Sequence, residues 1–418
     1  MAELASRPHE TTHGSPWAPL REPLFRSLWI AAVISYTGTW MQNVGAGWLM
    51  TQLTMSPFMV SLVQAATLMP VFLVILPAGA LADLVDRRRL LLVTQSWMVA
   101  AAGILGILSL THSITPWVLL LLTFVLGLGA VMNDPAWQAI TPEIVSPSNH
   151  AAGVALNSAG FNVARAVGPA LGGLVVAAAG SGFAFLLNAA SFFGVIFFLY
   201  SWKRPHVEEV RKERVWDALA AGLRYVRGTP GVRSVLIRTG AFSLAASSLL
   251  ALLPILARPH GARGYGLTLA SFGLGALAGA AALPKLRTRL SVDGLVGASI
   301  ILFAAMTFAA GRVEAFHWLC LVLFASGVAW IGILACLNVA AQTMAPPWLR
   351  ARALSIYLFV LQGGMALGSA AWGALASRTS VPTALLCSAA ALALGLFTVR
   401  HHHIASHEVP WSPSVVRD

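Results

Sequence analysis

From Ser27 to Ala82 the chain runs 56 residues without an Asp, Glu, Lys or Arg, and from Leu90 to Asn133 it runs another 44. Runs of that length are too long for buried core helices. A helix that crosses a bilayer needs about 20 apolar residues, so each run supplies one or two spans. Over its 418 residues the chain is 57% hydrophobic and 10% charged, whereas soluble domains are roughly a quarter charged. The chain is therefore read as a polytopic membrane protein.

Turn formers and charges cut the apolar runs. Ser56-Pro57 divides the first, His112 to Pro116 the second, and Gly180-Ser181-Gly182 separates a fifth span from a sixth. The spans predicted this way are 26–53, 58–83, 89–111, 115–141, 150–179, 182–202, 232–257, 265–287, 292–311, 315–344, 349–377 and 381–400. Six lie on each side of a charged linker at 203–231. This gives an N-terminal tail (1–25), a six-helix bundle (26–202), the linker, a second six-helix bundle (232–400) and a C-terminal tail (401–418).

Lys and Arg concentrate in cytoplasmic connectors. With both termini inside, the inner connectors hold 21 of them and the outer ones four: Arg258, Arg263, Arg312 and Arg378. That asymmetry places both termini and the linker in the cytoplasm. The net charge of +12 thus reports topology; nucleic-acid binding would need a basic soluble face. Residues 1–25, with Pro8, Pro16, Pro19 and Pro23, lack the short apolar core of a signal peptide. Cys320, Cys336 and Cys387 fall within apolar runs at no metal-like spacing. In the linker, Trp216, Leu219, Ala220, Leu223 and Val226 recur at helical spacing. They fit a helix lying on the membrane surface, or equally a solvated linker.

The halves repeat. "GALAD" (79–83) is matched by "GALAG" (275–279), and "GPALGG" (168–173) by "GMALGS" (364–369), both at an offset of 196. Asp83 is thereby paired with Gly279, so the second half lacks the matching carboxylate. Two six-helix repeats joined by a linker are the plan of the major facilitator transporters. "GALADLVDRRR" (79–89) resembles that superfamily's loop 2–3 signature, G-x-x-x-D-(R/K)-x-G-R-(R/K). Gly79, Asp83, Arg87 and Arg88 match, while Leu84 and Asp86 depart from it. "FRSLWIAAVISYTGTWMQNVGAGWLMTQLTMSP" (25–57), "ALNSAGFNVARAVGPALGG" (155–173) and "LSIYLFVLQGGMALGSAAWGALA" (354–376) are similar to the bacterial branch that includes the enterobactin exporter and related drug and siderophore efflux proteins.

The resemblance implies roles for several residues. In the family the motif aspartate faces the start of the eleventh span, which here begins "PWLRARALS". Asp83 would then meet a helix N-terminus, which carries about half a positive charge, together with Arg350 and Arg352. The arginines at 87–89 can alternatively serve topology alone. "ARAVGPALGG" (164–173) resembles the exporters' fifth-span signature through Gly168, Pro169, Gly172 and Gly173. Small residues there admit close helix packing, and Pro169 bends the helix.

Arg165 lies inside the fifth span, where a guanidinium costs about 2.5–3.5 kcal/mol on insertion scales. It should face a cavity or a partner, with Asn162 and Asn157 on roughly its face. Asp134, in the fourth span, is read as the carboxylate within a span, and as either Arg165's partner or an interfacial group. Arg238, near the inner end of the seventh span, is read as an interfacial anchor. Ser35, Thr39 and Gln42 share a face of the first span, with Trp40 and Asn43 beside it. That face would suit an amphipathic ligand or polar helix packing.

There is no G-x-x-x-x-G-K-(S/T) phosphate loop, and no nucleophile–base or metal constellation. The terminal histidines, His401 to His407, are not taken as a metal site. The expectation is an all-α protein of the bacterial inner membrane and not an enzyme, acting as a monomer without cofactor. It would export a small amphipathic or hydrophobic compound, drug- or siderophore-like, by alternating access against protons, with Asp134 as the coupling acid. The alternatives are an importer, or a transporter-like sensor.

Overall fold

In a computed structural model, the structure describes residues 15–84, 86–202, 224–225, 228–346 and 349–401. Within these, the side chains of 75–84, 134–136, 138–139, 141–142, 351 and 398–401 are not described. The proposed surface helix around Trp216 and the tail beyond His401 lie outside this set.

All regular structure among the described residues is helical, in twelve transmembrane helices. They are α1 (Pro23–Leu53), α2 (Pro57–Leu84), α3 (Arg87–Leu110), α4 (Pro116–Ile144), α5 (150–179), α6 (181–201), α7 (Pro230–Leu256), α8 (Gly261–Arg287), α9 (Val292–Ala310), α10 (Phe316–Thr343), α11 (Arg350–Arg378) and α12 (Val381–His401). Eight helical stretches are long and apolar enough to cross a membrane, and the two longest, of 55 and 58 residues, each hold two helices.

Local chemistry sets the boundaries. Asp86 caps α3 by accepting the Arg89 amide at 2.8 Å, and Thr115 and Ser291 cap α4 and α9 in the same way. These side chains satisfy amides that a helix start leaves unpaired. Prolines occupy the first turns of α1, α4 and α7, where no hydrogen bond is lost. Between α5 and α6 the chain turns at Gly180, whose φ of 83° is open to a residue without a Cβ.

The halves pack alike, as two six-helix repeats. α1 lies along α5, and α7 along α11. The repeated glycines sit at both contacts. A Cβ on Gly172 would stand 2.8 Å from the Met41 Cα, and one on Gly368 would meet Leu244 and Ser247 of α7. Across the halves, α2 runs antiparallel to α11 and α5 antiparallel to α8. The second half is centred on a buried aromatic cluster of Phe242, Phe272, Phe303 and Trp330.

Candidate functional site

The molecule has a linker end, where α6 stops and α7 starts, and a far end, which carries Gly180 and the α7–α8 turn. About halfway between them, α1, α5 and α8 converge. On α5, Gly168 and Gly172 face α1, while Ala166, Pro169 and Gly173 face α8. A Cβ on Gly173 would come within 2.8 Å of the Gly266 Cα, and one on Gly168 within 2.6 Å of the Trp40 Cβ. The fifth-span glycines are therefore spent on two interfaces at once.

Arg165 stands between those two faces. Its guanidinium carbon lies 5.9 Å from the Trp40 ring centroid, and a Cβ on Gly273 of α8 would stand 3.2 Å from its carbonyl oxygen. Phe161, one turn away, packs edge-on to Tyr36 at 5.3 Å and to Trp40 at 6.5 Å. Among the described residues the guanidinium has no carboxylate within ion-pair distance, and the indole face contributes to stabilising its charge. A cation over an aromatic face is worth about 0.5–2 kcal/mol, more when desolvated. Tyr36 and Phe161 were missed by the sequence reading. Their signal was the four-residue spacing that places Tyr36 with Trp40, and Phe161 with Arg165.

The polar face of α1 is only partly a lining. Gln42 is buried and accepts a hydrogen bond from the Asn188 amide of α6, and Asn188 and Ser191 also crowd Gly38. Gln42 thus takes the packing role that the sequence left open beside ligand binding, its amide bonded within the half. Ser35 is buried, and the Thr39 hydroxyl donates to the Ser35 carbonyl at 3.0 Å. Asn43 shares a helical face with Tyr36, Trp40 and Gly47, the face turned to α5 and α8. Asn162 is exposed and donates to the Ser158 carbonyl at 2.8 Å; Asn157 is half-buried.

The side chains of Asp83 and Asp134 lie outside the described residues, as does the surface of α2 around Gly79. Arg87 and Arg88 turn inward to their own half. Arg87 pairs with Glu143 of α4 at 2.9 Å, and Arg88 donates to the Leu199 and Tyr200 carbonyls at 2.6 and 2.9 Å. Arg88 thus serves the C-terminus of α6, where carbonyls lack partners. Arg350 is exposed at the start of α11, with Nε 3.4 Å from the Ala345 carbonyl; Arg352 is half-buried.

Two further charges depart from expectation. Arg238 is not an interfacial anchor: it is 2% exposed and forms an ion pair with Asp293 in the first turn of α9. Asp134 is therefore not alone as a carboxylate within the helical runs. Asp293 sits at a helix boundary, and so escaped notice. At the linker end Glu22 accepts the Ser146 amide at 3.2 Å, the Ser146 hydroxyl at 2.8 Å and the Asn149 amide at 2.8 Å. The Asn149 bond chiefly holds its carboxyl below the usual range, helped by Ser146 and the nearby His150.

Contacts between the halves are formed at the far end. The Phe58 amide donates to the Ser377 hydroxyl at 2.9 Å, and Arg258 reaches Met55 Sδ at 2.9 Å. α2 and α11 stay joined as far as Phe72, which stacks on Phe359 with centroids 4.5 Å apart. Beyond Ala166 and Gly273, toward the linker end, the facing residues of α5 and α8 are exposed.

Residues 14–414 match the family described as transmembrane secretion effector. The chain is 26% identical over 385 residues to the enterobactin exporter EntS of Salmonella choleraesuis, covering 90% of this chain and 91% of that protein. It is 22% identical over 277 residues to the staphyloferrin A transporter of Staphylococcus aureus, covering 65% and 70%. Among solved structures it resembles a bacterial homolog of the human lysosomal transporter Spinster in an inward-facing, occupied conformation. That likeness has a TM-score of 0.73 at 14% identity and covers 95% of this chain and 99% of that one. The nucleoside transporter NupG gives 0.65 at 14% identity, covering 91% and 98%.

Proposed function

The chain belongs to the transmembrane secretion effectors, a family of major facilitator transporters, and from that premise we propose that it exports a small amphipathic compound of siderophore or drug type. The observation that carries this reading is the Arg165 guanidinium held over Trp40, beside Tyr36 and Phe161, where α1, α5 and α8 meet. A cation and three aromatic rings near mid-membrane suit a ligand with an acidic group and an apolar body. The likeness to an enterobactin exporter along 90% of the chain supports the same class and direction.

The linker end is taken as cytoplasmic, from the distribution of Lys and Arg. With contacts formed at the far end, the protein then stands open to the cytoplasm. Asp83 serves as a latch that meets Arg350 and Arg352 when that side shuts. The antiparallel register of α2 and α11 supports this. Phe58 lies by Ser377, and Ser61 by Gly373, so the same register carried along α2 sets residue 83 level with 350–352. Asp134 exchanges the proton that drives export.

The test is uptake into inverted membrane vesicles, with enterobactin as the first compound. Arg165→Ala should lower uptake by about tenfold, the loss of about 1.4 kcal/mol of ligand contact. Asp134→Asn should impair uptake driven by a pH gradient more than downhill exchange. Full uptake with Arg165→Ala would remove the site, and full gradient-driven uptake with Asp134→Asn would remove the coupling role.

A further inference from the structure

We propose that the gap between the linker-end halves of α5 and α8 is a lateral portal, through which an amphipathic anion passes between the adjoining lipid leaflet and the Arg165 site. The proposal rests on the transporter reading above and adds the route and the charge of the ligand.

The geometry follows from helical faces. The face of α5 that carries Ala166, Pro169 and Gly173 against α8 continues toward the linker end through Asn162, Ser158 and Ala155. All three are exposed. The facing side of α8 carries Ala262, Gly266 and Gly273 in the contact, then Leu277, Ala280 and Pro284. These too are exposed, and from Pro284 to Ser291 every residue is exposed. Two helices that touch backbone to backbone in one half thus present bare facing surfaces in the other. At the middle of the other seam between the halves the Phe72 ring of α2 stacks on Phe359 of α11, whereas small residues form the α5–α8 contact.

The walls define the passenger. α8 offers Leu277, Ala280 and Pro284, an apolar surface without hydrogen-bonding side chains. α5 offers Ser158, Asn162 and Arg165 at i, i+4 and i+7, one polar stripe that ends at the guanidinium above Trp40. Lys285 and Arg287 stand exposed at the mouth. An anionic head can move along the α5 stripe while its apolar body stays against α8. A cationic amphiphile would meet repulsion at both ends.

The experiment replaces Cys320, Cys336 and Cys387 by serine and labels Ser158→Cys or Ala280→Cys with a bimane fluorophore in liposomes. Phosphatidylcholine brominated on its acyl chains should quench both positions as strongly as a label at Leu394→Cys, an exposed position on α12. Decanesulfonate should relieve the quenching at 158, and decyltrimethylammonium should not. The relief should be lost with Arg165→Gln and kept with Arg165→Lys. Quenching by aqueous iodide but not by brominated lipid would overturn the portal, since the gap would then open to water alone. Relief that survives Arg165→Gln, or relief by the cation, would overturn the ligand's charge. The quenching needs no transport, so intact vesicle uptake without lipid quenching removes the portal and leaves the transporter reading standing.

Discussion

Arg238 and Asp293 are an ion pair with unequal members, one 1% and the other 23% exposed in its side chain. Breaking a buried pair costs about 3–5 kcal/mol, because the remaining charge loses its partner in a poor solvent for ions. Water reaches Asp293, so Arg238→Met should fall at the low end of that range. Arg238→Met with Asp293→Asn should recover much of the loss, read as thermal melting in detergent. If the double variant melts no higher than the single one, the pair is not what anchors α7 to α9. Glu22 makes the opposite case, a carboxylate outside the membrane that gains by staying ionised. Its folded-state pKa is depressed. Its clasp on the α4–α5 turn therefore contributes stability above the usual Glu value of about 4.3, and loses it as pH falls through the lower folded value. Glu22→Gln should flatten that acid-side fall in melting temperature. An unchanged profile would mean that the clasp contributes nothing.

At the scale of elements, α5 decides most of the architecture. One helix meets α1 through Gly168 and Gly172 and α8 through Gly173, and between these contacts it holds its one guanidinium. Helices in lipid gain little from hiding apolar surface and associate by close packing instead. A single Cβ at such a contact therefore has a large effect. Gly266→Val would place a branched side chain against the Pro169 carbonyl and the Gly173 backbone. Overpacking of this kind costs about 1–3 kcal/mol, and here the cost falls on the state closed at the far end. In this variant Asn43→Cys should become reactive to an impermeant thiol reagent added from the far side, with export reduced. Unchanged reactivity would mean that the α5–α8 crossing does not seal that end.

At the scale of the whole molecule, two halves of one plan have diverged in charge. The 196-residue offset pairs Arg165 with Leu361, which is buried, and Asp83 with Gly279. The structure supplies a reason for the second difference. A Cβ on Gly279 would stand 3.0 Å from the Val328 Cα of α10, so that contact has no room for a carboxylate. The second half therefore has no counterpart to Asp83, and with Asp83 as the proposed latch, Asp83→Asn should weaken export without preventing insertion. A carboxylate at a helix N-terminus is worth about 0.3–2 kcal/mol, enough to shift a gate several-fold. Normal export in this variant would reduce the motif to topology. Orientation is tested with a reporter active only in the cytoplasm. Fused after Asp418 or within 205–212 it should be active, and within 258–264 silent.

Periodicity, charge-free length and self-similarity were enough to read twelve helices in two repeats, because lipid forces every span to be apolar, helical and long. They also singled out Arg165, since a cation within an apolar run is conspicuous, but not its contact with Trp40. They could not say which way a polar side chain turns. Gln42, Trp40 and Asn43 lie within one turn of α1, yet Gln42 bonds to α6 while Trp40 meets Arg165. That choice depends on which helix lies alongside, and the neighbours α6, α5 and α8 are more than a hundred residues away in sequence. The partner of Arg238 was hidden for the same reason, 55 residues on at a helix start. Spans are dictated by the solvent, which the sequence records residue by residue. Partners are dictated by packing, which exists only once the helices have met.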